Sequence, residues 1–207
     1  MFGYPYPTDE YYESIINWMN YKHNWKIQRE WLCYVPGIVK GIAFALHCFT
    51  QEGDKVIIQP PVYHPFRLVP EKMGREVVYN PLKEVNGRYE MDFEQLESII
   101  DERCKVLVLS SPHNPGGVVW PKETLIRLAE ICHRHGILVI ADEIHSEMAF
   151  PQYKHHPFPY RIARGSGVQP YLHGAKQDLQ HRRHRHLLCH RPRRSDPGAL
   201  LRLHGGG

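Results

Sequence analysis

Short apolar runs rich in β-branched residues recur along most of this chain, and between them lie segments long enough for about one helix each. Lys55–Gln59, Glu76–Tyr79, Lys105–Ser110 and Ile137–Ala141 read as strands, and Trp31–Val35 as a further strand that Gly37 breaks. A helix capped by Thr8 or Asp9 runs to about Lys22, with Tyr12, Ile15, Ile16 and Met19 at helical spacing. Further helices cover Ile38–Phe49, Tyr63–Met73, a stretch from an Asp92 cap to about Asp101, and Lys122–His135, which ends at Gly136. Strands and helices that alternate at this spacing require a mostly parallel sheet, right-handed crossovers and helices on both faces. The fold class is therefore α/β, built in three layers as α/β/α. In such sheets ligands sit at the carboxyl ends of the strands.

Other classes fall away quickly. Apolar runs such as Val106–Leu109 and Ile137–Ala141 are far too short to span a bilayer, and no basic-then-apolar leader follows Met1. Five scattered cysteines with no C-x-x-C pair fit reduced thiols better than disulfides or a zinc site, so the cytoplasm is the expected compartment. His133, His135, His155 and His156 lack regular metal-ligand company and read as surface residues, so no metal site is expected. No G-x-G-x-x-G fingerprint and no G-x-x-x-x-G-K-[ST] loop is present, which argues against a nicotinamide enzyme or a P-loop nucleotidase.

The net charge of +4 is unevenly spread. Residues 1–159 carry a slight acidic excess, whereas 160–207 hold ten basic residues, nine of them arginine, against two acidic ones. A basic tail without amphipathic period ordinarily suggests a disordered appendage or a nucleic-acid partner. Coding DNA read in the wrong phase explains it better. Codons exist for His173–Arg193 which, after one base is dropped, read MAPSKTFNIAGIVISYAIVP, an apolar strand-like string that contains S-K-T-F-N. The expected division is an incomplete large domain over 1–159 and an out-of-frame, disordered tail over 160–207.

Candidate site residues gather at the carboxyl ends of the strands. Asp142, in the string A-D-E-I-H, closes a buried strand, where a carboxylate is costly unless it meets a cation or strong donors. A cationic aromatic nitrogen would satisfy it; a helix cap or a structural ion pair would do so too. Asn114 lies in S-P-H-N-P-G-G, a turn forced by two prolines and two glycines that can present an amide donor, although alone it is only a turn. Tyr63, in P-P-V-Y-H-P-F, offers a ring for stacking or a core aromatic. Gly37-Ile38-Val39 follows a strand and opens a helix, so its amides can hold a phosphate, as can those of any strand-to-helix turn.

Taken in order, Y-V-P-G-I-V, P-P-V-Y-H-P-F, S-P-H-N-P-G-G-V-V-W and A-D-E-I-H-S-E-M resemble the MalY/PatB-type cystathionine β-lyases within the fold-type I pyridoxal-phosphate enzymes. The resemblance covers residues 1–159. It implies that Gly37, Ile38 and Val39 contact the cofactor phosphate, Tyr63 stacks on the ring, Asn114 bonds the phenolic oxygen and Asp142 pairs with the pyridine nitrogen. Tyr4, in F-G-Y, is similar to a tyrosine that reaches the active site near the phosphate. His145 in D-E-I-H and Trp120 after the asparagine turn favour the lyase branch. S-K-T-F-N in the shifted frame resembles the motif of the lysine that bonds the cofactor. Its codon straddles those of Gln177 and Asp178, so Lys176 is not that residue and no catalytic lysine is expected intact.

By resemblance, the implied reaction is α,β-elimination from cystathionine or a related cysteine conjugate, giving thiol, pyruvate and ammonia. It also implies a homodimer with shared active sites. The expected departures are a missing N-terminal segment and a missing small C-terminal domain, the source of the arginine for the substrate carboxylate. Transamination by the same cofactor is the enzymatic alternative, and a regulatory or nucleic-acid-binding protein using the basic tail is the non-enzymatic one.

Overall fold

A computed structural model describes residues 7–158, together with the backbone of 171–173 and 185–188. The order is α1 (Asp9–His23), β1 (Leu32–Val35), α2 (Ile38–Phe49), β2 (Lys55–Ile58), α3 (Pro65–Lys72), β3 (Glu76–Tyr79), β4 (Lys83–Val85), β5 (Arg88–Glu90), α4 (Phe93–Ile99), β6 (Cys104–Ser110), α5 (Lys122–Arg134), β7 (Leu138–Asp142), β8 (Tyr171–His173) and β9 (Arg185–Leu188). Seven strands form one sheet in the order β1-β9-β8-β7-β6-β2-β3. Strands β3, β2, β6, β7 and β8 are mutually parallel, and β9 runs antiparallel to both of its neighbours. Two reversals cancel, so β1 points the same way as β7, and the turns after β1, β2, β6 and β7 all leave the same edge of the sheet.

The strands read as continuous apolar runs because both of their faces are covered. Side chains alternate across the pleat. Ile57, Leu107, Leu109, Val139 and Ala141 enter one core with Ile15 and Met19 of α1, Leu96 of α4, and Leu125 and Leu128 of α5. Val56, Ile58, Val106, Val108 and Ile140 enter the other, against Ile42 and Leu46 of α2 and Phe66 of α3. This is the expected three-layer α/β/α arrangement.

Local signals set the helix ends. Asp92 Oδ1 accepts the Gln95 N–H at 3.1 Å, capping α4, and its other oxygen pairs with Lys83 Nζ at 2.8 Å. Asp92→Ala is expected to destabilise the fold by about 1 kcal/mol in urea denaturation. Gly136, at φ 65, closes α5 while Ile137 N–H reaches back to the Cys132 carbonyl at 2.8 Å.

Two elements differ from the sequence reading. Helix α3 begins at Pro65 rather than Tyr63, since proline suits the first turn, and Tyr63 is left in the preceding loop. A hairpin, β4–β5, turns at Asn86 (φ 51) and Gly87 (φ 73), positive values that Asn-Gly tolerates well. Most of 160–207, expected as a disordered tail, lies outside the described residues, as does Tyr4. Within that stretch the backbone of β8 lies beside β7, with Ala141 opposite Tyr171 and Asp142 opposite Leu172, and β9 joins β8 to β1.

Among the described residues Cys48, Cys104 and Cys132 form no disulfide. No described helix is long and apolar enough to cross a membrane.

Candidate functional site

The site forms along the shared carboxyl edge. Asp142 is the last residue of β7 and is buried. Its carbonyl accepts the Ser111 N–H at 2.9 Å, and its Oδ1 accepts the Ile144 N–H at 3.1 Å, an Asx turn that fixes the direction of the carboxylate. Opposite it in β6 stands Ser110. The Ser110 hydroxyl accepts the Asn114 N–H at 3.0 Å and donates to the Pro112 carbonyl at 3.3 Å, while its own carbonyl accepts the Trp120 indole N–H at 2.8 Å.

The Asn114 turn is held from inside by His113. This residue is buried; its N–H donates to the Val118 carbonyl at 2.8 Å, its carbonyl accepts the Gly117 N–H at 2.9 Å, and its Nδ1 accepts the Gly116 N–H at 3.2 Å. A Cβ on Gly116 would lie 2.7 Å from both His113 Nδ1 and the Tyr89 ring, so only glycine allows that approach. The Asn114 carbonyl accepts the Tyr63 N–H at 3.1 Å, which ties the loop after β2 to the turn after β6. Tyr63 remains partly open at 37% exposure, with its ring edge-on to Phe66 at 6.1 Å.

Gly37 caps α2 at φ 143 and ψ 150, a conformation open to glycine alone in practice. The first intrahelical bond runs from Gly41 N–H to the Gly37 carbonyl at 2.9 Å, which leaves the Ile38 and Val39 amides at the open, positive end of the helix. Gly37→Ala is expected to cost about 2 kcal/mol through backbone strain, read as a lower denaturation midpoint.

Asn114 and His145 line a single cleft of about 940 Å³, together with Tyr89, Trp120, Arg127 and Tyr153. His145 opens the short turn Ser146–Met148, with its Nδ1 3.3 Å from Met148 Sδ. Asp142, Tyr63 and Gly37–Val39 are not part of that lining. A hydrogen bond thus connects Tyr63 with Asn114, Asn114 reaches Asp142 only by way of Ser110 and Ser111, and the cleft connects Asn114 with His145. Gly37–Val39 share only the sheet edge with them, since β8 and β9 stand between β1 and β7.

Sequence reasoning missed Ser110, His113 and Glu143. Their signal lay in the same strings, S-S-P-H-N and A-D-E-I-H, but nothing in a string shows which side chains turn inward. His155, read as a surface residue, is buried instead, with its Nε2 2.9 Å from Glu143 Oε2.

Comparison with known proteins gives this geometry its context. The family model for aminotransferase class I and II matches residues 2–173. The chain belongs to that family. Cystathionine beta-lyase PatB of Bacillus subtilis is 42% identical over 159 residues, covering 76% of this chain and 41% of that protein. Protein MalY of Escherichia coli is 31% identical over 167 residues, covering 80% and 43%. Within the aminotransferase family the chain is similar to both of these proteins. Among solved structures, cystalysin from Treponema denticola, which contains pyridoxal 5'-phosphate, superposes with a TM-score of 0.83 at 30% identity over 91% of this chain and 49% of that one. The chain spans less than half the length of these relatives.

Proposed function

We propose that this chain is the pyridoxal-phosphate-holding part of a carbon–sulfur β-lyase that acts on an amino acid in the cytoplasm, paired as a homodimer. Asp142 carries the reading: a buried carboxylate at the carboxyl end of β7, held in direction by the Ile144 N–H, beside the Asn114 turn. The residues present fit the cofactor. A buried carboxylate suits a cationic partner, and beside it a pyridine nitrogen keeps its proton. Glycine at φ 143 before α2 leaves no Cβ between the first-turn amides and a phosphate.

In this arrangement Asp142 holds the proton on the ring nitrogen, Asn114 donates to the phenolic oxygen, and the exposed face of Tyr63 covers the ring. Ile38 and Val39 hold the phosphate through their N–H groups. His145 stands at the cleft beside Asn114, where an amino-acid substrate would enter. Bound pyridoxal phosphate supplies an electron-accepting ring that stores the pair left by the departing α-proton, so that the β-thiol can be expelled.

The lysine implied by the resemblance falls in the segment read as out of frame, outside the described residues. On this reading the 207-residue chain retains the cofactor without a covalent bond. Recombinant chain dialysed after incubation with pyridoxal phosphate is expected to keep it, to release it after borohydride treatment and denaturation, and to form no pyruvate from cystathionine. Pyruvate release, or cofactor fixed by borohydride unless Lys176 is replaced, would overturn this. Transamination is distinguished by its keto-acid product, formed without free ammonia.

A further inference from the structure

Directly after Asp142 the chain does something a solvent-facing loop has no reason to do. Glu143 turns its carboxylate fully inward, at 0% exposure. An isolated carboxylate there would be prohibitively costly, and here both oxygens are engaged. Oε1 accepts the Phe158 N–H at 2.7 Å, and Oε2 meets His155 Nε2 at 2.9 Å. Both contacts come from the far end of the loop that carries His145, so the two ends of the segment 143–158 are pinned to each other. At the near end the Ser146 N–H returns to the Glu143 carbonyl at 2.9 Å.

A second layer secures the clamp. The His23 ring of α1 lies edge-on to His155, with centroids 5.9 Å apart at 82°. Glu147, inside the same loop, pairs with Lys22 at 3.2 Å and lies 3.9 Å from His23 Nε2. The loop is thereby moored to α1 at two points as well as to itself.

We propose that Glu143 and His155 form a buried positioning pair that sets the direction of the Asp142 carboxylate and, through the same loop, the place of His145 at the cleft. The link is covalent and short. The peptide joining Asp142 to Glu143 has the Asx turn on one side, closed by the Ile144 N–H, and the inward carboxylate on the other. Rotating that peptide would break one or the other. This inference rests on the reading of Asp142 as the cofactor's partner, but the coupling itself can be measured without cofactor.

The test uses the full 207-residue chain with Glu143→Gln, which keeps its shape and an acceptor for the Phe158 N–H but removes the charge facing His155. His155→Gln retains a donor toward Glu143, and His155→Leu removes it. In Glu143→Gln and His155→Leu, amide hydrogen exchange at Ile144 is expected to accelerate roughly tenfold or more while Val106 and Val108 in β6 stay as slow as before; His155→Gln should restore Ile144. Pyridoxal-phosphate affinity should fall in the same two variants and recover in the third. Unchanged exchange at Ile144 in both disruptive variants overturns the pair's role, as does an equal acceleration throughout β6, which marks mere destabilisation. If Glu143→Gln does not fold, the two His155 variants decide. A parent chain that binds no pyridoxal phosphate refutes the proposed function, while the exchange result still decides the coupling.

Discussion

Replacing Asp142 with alanine is expected to weaken pyridoxal-phosphate binding roughly 30-fold or more, because removing one partner of a buried charge pair costs about 2–5 kcal/mol. Asp142→Asn is the sharper variant. An asparagine keeps an oxygen for the Ile144 N–H, so the Asx turn and the end of β7 should survive. It cannot balance a cationic nitrogen, so the affinity should still drop by about the same factor. Equilibrium dialysis of the 207-residue chain reads the affinity, and a parallel urea melt shows that the fold is intact. Equal affinity in the parent and in Asp142→Asn would remove the carboxylate from the site. A drop in Asp142→Ala alone would show that its oxygen matters only to the turn.

Acidification is expected to destabilise the chain through His113, by about 3 kcal/mol between neutral pH and pH 4. Burial drives this imidazole from 6.5 down to about 4, opposed in part by the nearby Gln59 carbonyl. The direction follows from proton counting. Between pH 6.5 and 4 the unfolded chain carries a proton at this position and the folded chain does not, so stability is present in full above the unfolded value. It is lost as the pH falls through that window and levels off below about 4. Protonation would also deprive the Gly116 N–H of its acceptor, Nδ1, and so loosen the turn that carries Asn114. Urea denaturation of the parent and of His113→Gln at a series of pH values isolates the contribution, since other titrating groups are common to both. Parallel stability curves for the two proteins from pH 4 to 6.5 would exclude it.

Much of this architecture could be read in advance because periodicity carries it. The sequence reading placed α2 on its observed bounds, β2 and β6 within a residue at one end and β7 within a residue at each end, since apolar runs flanked by Gly, Asp and Pro leave little choice. Asn114 and Asp142 could be picked out because each follows such a run. The β4–β5 hairpin was missed although Asn86-Gly87 announces it, because its strands are three residues long and carry no apolar alternation. His155 went unread for a different reason. Its burial depends on a partner twelve positions earlier, and a histidine near two prolines looks the same in a string whether it meets a carboxylate or water. The cleft was also beyond reach, since Tyr89, Arg127 and Tyr153 meet only through tertiary packing.

The double covering of the sheet has one more consequence. In a one-sided sheet, slipping a strand by a single residue throws its greasy side chains into water, and that penalty fixes the alignment. Strand β6 offers Val, Leu, Val and Leu from 106 to 109, and β7 offers Val, Ile and Ala from 139 to 141, so a slip would trade one aliphatic group for another. What such a slip cannot do cheaply is drag Ser110 or Asp142 into the hydrocarbon layer. The pair that ends these two strands therefore acts as a stop, so the carboxylate proposed to meet the cofactor also helps tell the sheet how to line up.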